Sequence, residues 1–181
     1  MKTYVALLRA VNVGGKNKVP MKELKEAFEK FGYINVKTYI NSGNVIFSSD
    51  EKDIESIKRA SEEIIKKEFN LDITVLIIEI DNLIDVIDNI PLELQEIDKD
   101  YYDTIIFVIP PTSTEEIFEA LKSKVTEHES MYVYKNVFYW RAKLSAFQKT
   151  VLSKFASSKV NNLVTIRTIN TAKKILEVHK K

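Results

Sequence analysis

The chain has 181 residues, of which 45% are hydrophobic and 29% charged, the composition of an ordinary globular protein able to bury a core in one large domain or two small ones. It contains no cysteine, which excludes disulfides, thiolate nucleophiles, iron–sulfur clusters and cysteine-ligated zinc. A formal charge of +1 gives no reason by itself to expect a nucleic-acid partner.

The N-terminus enters strand-like sequence within three residues, without the charged start and long apolar run of a signal peptide, and no apolar run reaches the roughly 18 residues of a membrane span. A cytoplasmic protein with no membrane partner is expected. Tyr4 to Val11 reads as a buried strand, and Asn12-Val13-Gly14-Gly15-Lys16-Asn17-Lys18 as the loop that follows. Pro20 fits the first turn of a helix, Met21, Leu24, Phe28 and Phe31 recur at helical spacing, and Gly32 stops it. Val36, Thr38 and Ile40 alternate as a strand, Ser42-Gly43 turns, and Val45 to Phe47 returns as the hairpin partner. Asp50 is the expected cap of a helix with Ile54, Ile57, Ala60, Ile64 and Ile65 on its inner face, and Ile73 to Ile78 forms the next strand.

Ile80, Leu83, Ile84 and Ile87 predict a further helix that Pro91 ends. Thr104 to Ile109 is again a strand, and Ser113 with Glu116 is a capping box opening a helix to about Lys124. A hairpin follows across Lys135-Asn136, then an amphipathic helix carrying Leu144, Phe147, Val151 and Phe155, a strand from Leu163 to Arg167, and a last helix capped by Asn170. The order β-α-β-β-α-β therefore occurs twice. The expected fold class is α+β, a tandem duplication of ferredoxin-like βαββαβ units with antiparallel sheets. Residues 1–79 form the first subdomain, 80–102 a helical and acidic connector, and 103–181 the second subdomain with a C-terminal helix.

In a split βαβ unit the first two strands run parallel with the third between them. The loop after the first strand and the hairpin between the second and third must leave the sheet at one end, so residues 12–18 and 41–44 are expected to meet. Paired glycines expose backbone N–H groups that, with nearby lysines, can form an anion-binding nest, to which the start of the helix near Pro20 would add its dipole. The same glycines can equally make only a turn, with the lysines in solvent. The spacing is neither that of a P-loop nor of a dinucleotide fingerprint.

Charge is unevenly distributed. Residues 79–103 are strongly acidic and residues 141–181 strongly basic, a pattern that can favour an anionic partner, pin the two segments together, or form two solvated faces. His128 and His179 read as surface residues, and no spacing suggests a metal site or an activated Ser42. The aromatic hairpin of Tyr132, Tyr134, Phe138, Tyr139 and Trp140 lacks the RNA-recognition pattern, so packing is preferred to base stacking and nucleic acid is the less favoured partner.

The stretches from Leu8 to Met21 and from Thr38 to Val45, with weaker signatures at Ala142-Lys143-Leu144 and Thr165-Ile166-Arg167, closely resemble the bacterial family called domain of unknown function 1697. The family usually has Arg-Asn-Trp where this chain has Arg167-Thr168-Ile169, and glycine where it has Ala10. The resemblance implies two ferredoxin-like subdomains and no established activity. The leading expectation is a binding protein without cofactor or metal. Its anionic or phosphate-bearing ligand would be held by Asn12, Gly14, Gly15, Lys16, Asn17, Lys18, Ser42, Gly43 and Asn44, helped by Arg9, Lys143 and Arg167. The alternatives are a small-molecule enzyme with a cleft between the subdomains and a protein-interaction module without ligand.

Overall fold

Alternation along the first strand sets the architecture of the N-terminal half. In the computed structural model, which describes residues 1–181 apart from the side chain of Ala156, β1 (Lys2–Leu8) directs Tyr4, Ala6 and Leu8 to one face of a sheet. Helices α1 (Met21–Phe31) and α2 (Ile54–Phe69) close over that face with Leu24, Phe28, Ile57, Ile64 and Ile65. Each such fully buried side chain contributes about 1.5–3 kcal/mol of burial free energy. The remaining strands are β2 (Ile34–Tyr39), β3 (Asn44–Ser49) and β4 (Val75–Glu79), and the sheet order is β2-β3-β1-β4, antiparallel throughout.

The second sheet repeats this order. β5 (Tyr101–Val108), β6 (Glu129–Tyr134), β7 (Val137–Lys143) and β8 (Val164–Thr168) lie as β6-β7-β5-β8, again antiparallel. In chain order, helix α3 (Ile80–Asp88) follows β4, α4 (Thr114–Leu121) follows β5, and α5 (Ile169–Lys180) follows β8. The fold is α+β. By packing, Met1–Ile84 and Lys173–Lys181 form one unit and Asp85–Ala172 the other. In the first unit Lys37 of β2 donates to the carbonyls of Val178 (3.3 Å) and His179 (3.4 Å), capping the C-terminal end of α5. Among the described residues no helix is long and apolar enough to cross a membrane.

Three local expectations are corrected. The cap of α2 is Asp53, not Asp50: Glu51 accepts from the N–H groups of Lys52 (2.7 Å) and Asp53 (2.8 Å), holding the chain extended for one more turn. On its inner face Ser61 is buried and Ala60 is not, the Ser61 hydroxyl donating to the Ile57 carbonyl at 2.8 Å. At α5 the capping oxygen is Thr168 Oγ1, 3.1 Å from the Thr171 nitrogen, which leaves Asn170 inside the helix.

The largest departure is the amphipathic helix expected from Leu144 to Phe155. Residues Leu144–Lys149, Leu152–Ser157 and Lys159–Leu163 are instead three short 3-10 segments. The hydroxyls of Thr150, Ser153, Ser157 and Ser158 each donate to the carbonyl three residues back, at 2.6–3.0 Å, and so compete with the α-helical ladder. Glu129 completes the diversion. Its carboxylate, 8% exposed, accepts from the N–H groups of Val151 (2.8 Å) and Leu152 (3.3 Å), from Trp140 Nε1 (2.9 Å), and from the N–H (3.1 Å) and hydroxyl (3.2 Å) of Thr126. Leu152 and Phe155 are thereby delivered to the core beside Phe138 and Trp140.

The acidic and basic segments meet in part by ion pairing. Arg141 donates from Nε (2.8 Å) and Nη2 (2.7 Å) to the two carboxylate oxygens of Asp103, and its guanidinium lies 4.7 Å from the centre of the Tyr101 ring. Asp85 accepts from Lys135 (2.6 Å) and from Tyr134, which holds its carboxyl below the usual range, while Tyr132 donates to Glu93. Tyr132 and Tyr134 are thus committed to carboxylates, the buried Tyr139 to the Val86 carbonyl, and Phe138 and Trp140 to the core.

Because every side-chain bond of Glu129 is accepted by a carboxylate oxygen, Glu129→Gln sets an amide N–H against N–H and O–H donors. Urea denaturation of this variant is expected to show a loss of about 2–4 kcal/mol, whereas an unchanged midpoint would contradict the role given to the carboxylate.

Candidate functional site

The strand order makes the end of β1, the β2–β3 hairpin and the start of α1 neighbours at one end of the first sheet. Leu8 N–H donates to the Gly43 carbonyl at 2.8 Å, and Arg9 N–H to the Thr74 carbonyl at 3.0 Å. Beyond them the loop folds into a miniature hairpin: Asn12 N–H reaches the Asn17 carbonyl and Lys16 N–H the Val13 carbonyl, both at 3.0 Å. Gly14 (φ +57°) and Gly15 (φ +77°) take the two central positions, the geometry of a tight turn with both φ values positive. The glycines therefore form a hairpin tip whose N–H groups are bonded to no protein group among the described residues.

Two asparagine side chains fasten this hairpin, and a third, Asn44, fastens the β2–β3 turn beside it. Asn12 Nδ2 donates to the carbonyls of Val19 (2.9 Å) and Asn41 (2.8 Å), and its Oδ1 accepts from Val19 N–H (2.9 Å). Asn17 Nδ2 donates to the Ala10 carbonyl at 3.0 Å. Asn44, fully buried, donates to the Tyr39 carbonyl (2.9 Å) and to Ser42 Oγ (3.0 Å). Residues 12–18 and 41–44 do meet, and the contact between them is the Asn12 carboxamide. Gly43 is required by space: a Cβ there would stand 2.5 Å from Val11 Cγ2 and 2.7 Å from Leu8 Cβ.

Strain concentrates here. Eleven of the described residues have positive φ, and seven of them, Ala10, Asn12, Gly14, Gly15, Asn17, Ile40 and Gly43, lie in these two loops. Asparagine and glycine tolerate this backbone, but Ala10 (φ +54°) and the β-branched Ile40 (φ +47°) do not. Such residues cost of order 1–3 kcal/mol each and gather at functional sites. The positive φ at position 10 also accounts for the glycine usual there in the family that the sequence resembles.

Lys16 and Lys18 are exposed and form no ion pair among the described residues, while Arg9 is half-buried. Helix α1 begins three residues after Lys18 with no side chain capping its N-terminal N–H groups. Lys143 and Arg167 belong to the second unit. Lys143 is an exposed residue at the end of β7, its N–H bonded to the His128 carbonyl (2.9 Å). Arg167 is buried on β8, donating to Thr165 Oγ1 (3.0 Å) and the Ile166 carbonyl (2.8 Å), and burial pulls its guanidinium down to about 10, so it stays charged at neutral pH. What sequence reading missed is the division of labour: Asn12, Asn17 and Asn44, named from the sequence as ligand contacts, turn their amides to backbone carbonyls. Among the described residues no three His, Asp or Glu side chains come close enough to hold a metal ion.

Residues 1–139 match the family described as "Protein of unknown function (DUF1697)". Among solved structures, the conserved bacterial protein SP0830 from Streptococcus pneumoniae is similar with a TM-score of 0.83 and 23% identity, over 98% of each chain. That likeness concerns the fold. Comparison with curated proteins finds no match.

Two substitutions separate space from conformation. Gly43→Ala must displace Leu8 and Val11 and is expected to cost about 3 kcal/mol or more, against about 1 kcal/mol for Gly14→Ala at the open tip. Ala10→Gly is expected to stabilise the protein by about 1 kcal/mol by relieving the left-handed alanine. Chemical denaturation of the three variants checks the order, and equal losses for the two alanine variants would remove the steric argument.

Proposed function

We propose that the chain, which belongs to the DUF1697 family of proteins of unknown function, binds a small anionic ligand, phosphate- or carboxylate-bearing, at the rim formed by Asn12–Lys18 and Ser42–Asn44. The observation that carries this reading is the convergence, on one strained and heavily fastened loop end, of two lysines without ion-pair partners, a free-standing Gly14-Gly15 tip and an uncapped helix N-terminus. Each supplies positive potential or N–H donors, and the one acidic side chain in the first turn of α1 is Glu23. Lys16 and Lys18 provide the charge, Gly14 and Gly15 the backbone donors, and Arg9 a further cation at the end of β1. Asn12, Asn17 and Asn44 position these groups through their bonds to backbone carbonyls. Fixing the loop before the ligand arrives lowers the ordering cost of binding.

The shared strand order of the two sheets supports reading the chain as a duplicated ferredoxin-like unit in which only the first copy carries this rim. The corresponding connections of the second copy are Pro110-Pro111 and Lys135-Asn136, and Lys135 is paired with Asp85. A reducing bacterial cytoplasm, rich in phosphorylated metabolites, suits a protein of this kind that has no disulfides to keep.

A thermal-shift series with inorganic phosphate, nucleotides, sugar phosphates and a short RNA tests the reading. At least one small anion is expected to raise the midpoint of the wild type, by about 2.7 kcal/mol of stabilisation at a hundred times its Kd, and the response should vanish in Lys16→Ala/Lys18→Ala. An RNA response that collapses steeply with added salt would point to phosphate-backbone binding instead. No response to any anion, or an identical response in the double variant, sinks the proposal.

A further inference from the structure

The broken segment after β7 builds a second feature, within the Asp85–Ala172 unit and separate from the rim. A cavity of about 550 Å³ opens between the end of α4 and the 3-10 segments. Its floor is apolar: Leu121 and Phe155 are buried, and Val151 and Val160 are half-buried. Its margin carries Lys124, Lys149, Lys154 and Lys159, all exposed, with no Asp or Glu lining the cavity. None of the four lysines forms an ion pair among the described residues, although the neighbouring Lys122 is paired with Glu119 at 2.6 Å. Three of them come from the basic stretch that stood out in the sequence, and that stretch pairs with the acidic segment only in part.

Four like charges around one apolar depression repel one another, and an anion seated among them removes that cost. Solvation of the lysines alone would not explain the floor, since a concave, mainly apolar recess with a few polar groups at its margin has the form of a small-molecule site. The volume falls in the range of small-molecule pockets, roughly 300–1,000 Å³. A nucleic-acid strand would engage the lysines but leave the apolar floor unused. The geometry points to an amphipathic organic anion, an acyl or aromatic body with a carboxylate or phosphate head, as the ligand of this cavity. The body lies on Leu121, Val151 and Phe155, and the head is held at the lysine margin. The floor is held in place by Glu129, which binds the N–H groups of Val151 and Leu152 and both donors of Thr126, another residue of the cavity wall.

Amide chemical shifts of the full 15N-labelled chain, titrated with octanoate, test this, with 1-octanol and acetate as the headless and bodyless controls. Octanoate should give saturable shifts centred on Leu121, Val151, Phe155 and Val160, with 1-octanol and acetate binding at least tenfold more weakly. Charge reversal at exposed positions, Lys154→Glu/Lys159→Glu, should weaken octanoate at least tenfold. Filling the cavity from its rim with Ala120→Trp, which leaves every lysine in place, should do the same, and it decides the matter alone if the charge-reversed chain does not fold. Lys16→Ala/Lys18→Ala should bind octanoate as the wild type does. The inference is overturned if no saturable shift appears at these residues, if 1-octanol binds as tightly as octanoate, or if Ala120→Trp changes the affinity by less than twofold. It is overturned equally if octanoate shifts the Gly14-Gly15 loop and loses its affinity in the Lys16/Lys18 variant.

Discussion

The carboxamide of Asn12 is the interaction on which the loop end of the first unit depends. Its two N–H groups reach carbonyls on either side of it, Val19 just before α1 and Asn41 in the β2–β3 hairpin, while its oxygen takes the Val19 N–H. One planar group thus joins three segments that the strand order brings near one another but does not itself connect. An aspartate of the same shape would offer no donors, and an alanine would leave the carbonyls without their partner. Because Asn12 also stands at φ +55°, a conformation asparagine tolerates better than most residues, backbone and side chain make the same demand.

The second unit solves the same topology with a different group. There a buried carboxylate, Glu129, gathers donors from Thr126, Trp140, Val151 and Leu152, and in doing so replaces an α-helix by short 3-10 segments. Where the first unit covers its sheet with α1 and α2, the second covers it with α4 and this irregular segment. An α-helix has a continuous surface and its own satisfied backbone. A broken path exposes recesses between its turns, and the lysine-margined cavity is one of them.

Much of this architecture was legible in residue order. The continuous apolar runs from Thr104 and from Val45, the helical spacing of Leu24 and Phe28, and the Ser113–Glu116 capping box all describe local preferences that tertiary packing reinforces. The meeting of residues 12–18 with 41–44 followed from topology alone. What could not be read was any choice settled by a distant partner. Leu144, Phe147, Val151 and Phe155 have helical spacing, yet Glu129, more than 20 residues earlier, takes the N–H groups that a helix would have used. Asp50 and Asp53 are equally good caps by composition, and Glu51 decides between them. The asparagines of the rim announce polarity in the sequence, whereas only their distances show that they hold backbone carbonyls. The gathering of Lys124, just beyond α4, with the lysines of the 3-10 segments is likewise a product of packing between segments distant in sequence.

The final helix has a consequence for how the protein is made. It starts in one unit and finishes in the other, so Lys173–Lys181 complete a unit whose remaining residues are Met1–Ile84. On the ribosome the N-terminal sheet emerges early and must wait through the synthesis of Asp85–Ala172 before Lys37 can find the carbonyls of Val178 and His179. At usual elongation rates of about 5–20 residues per second, that is an interval of several seconds. During it the first unit lacks its last segment, and by its end every residue of Asp85–Ala172 has already been made.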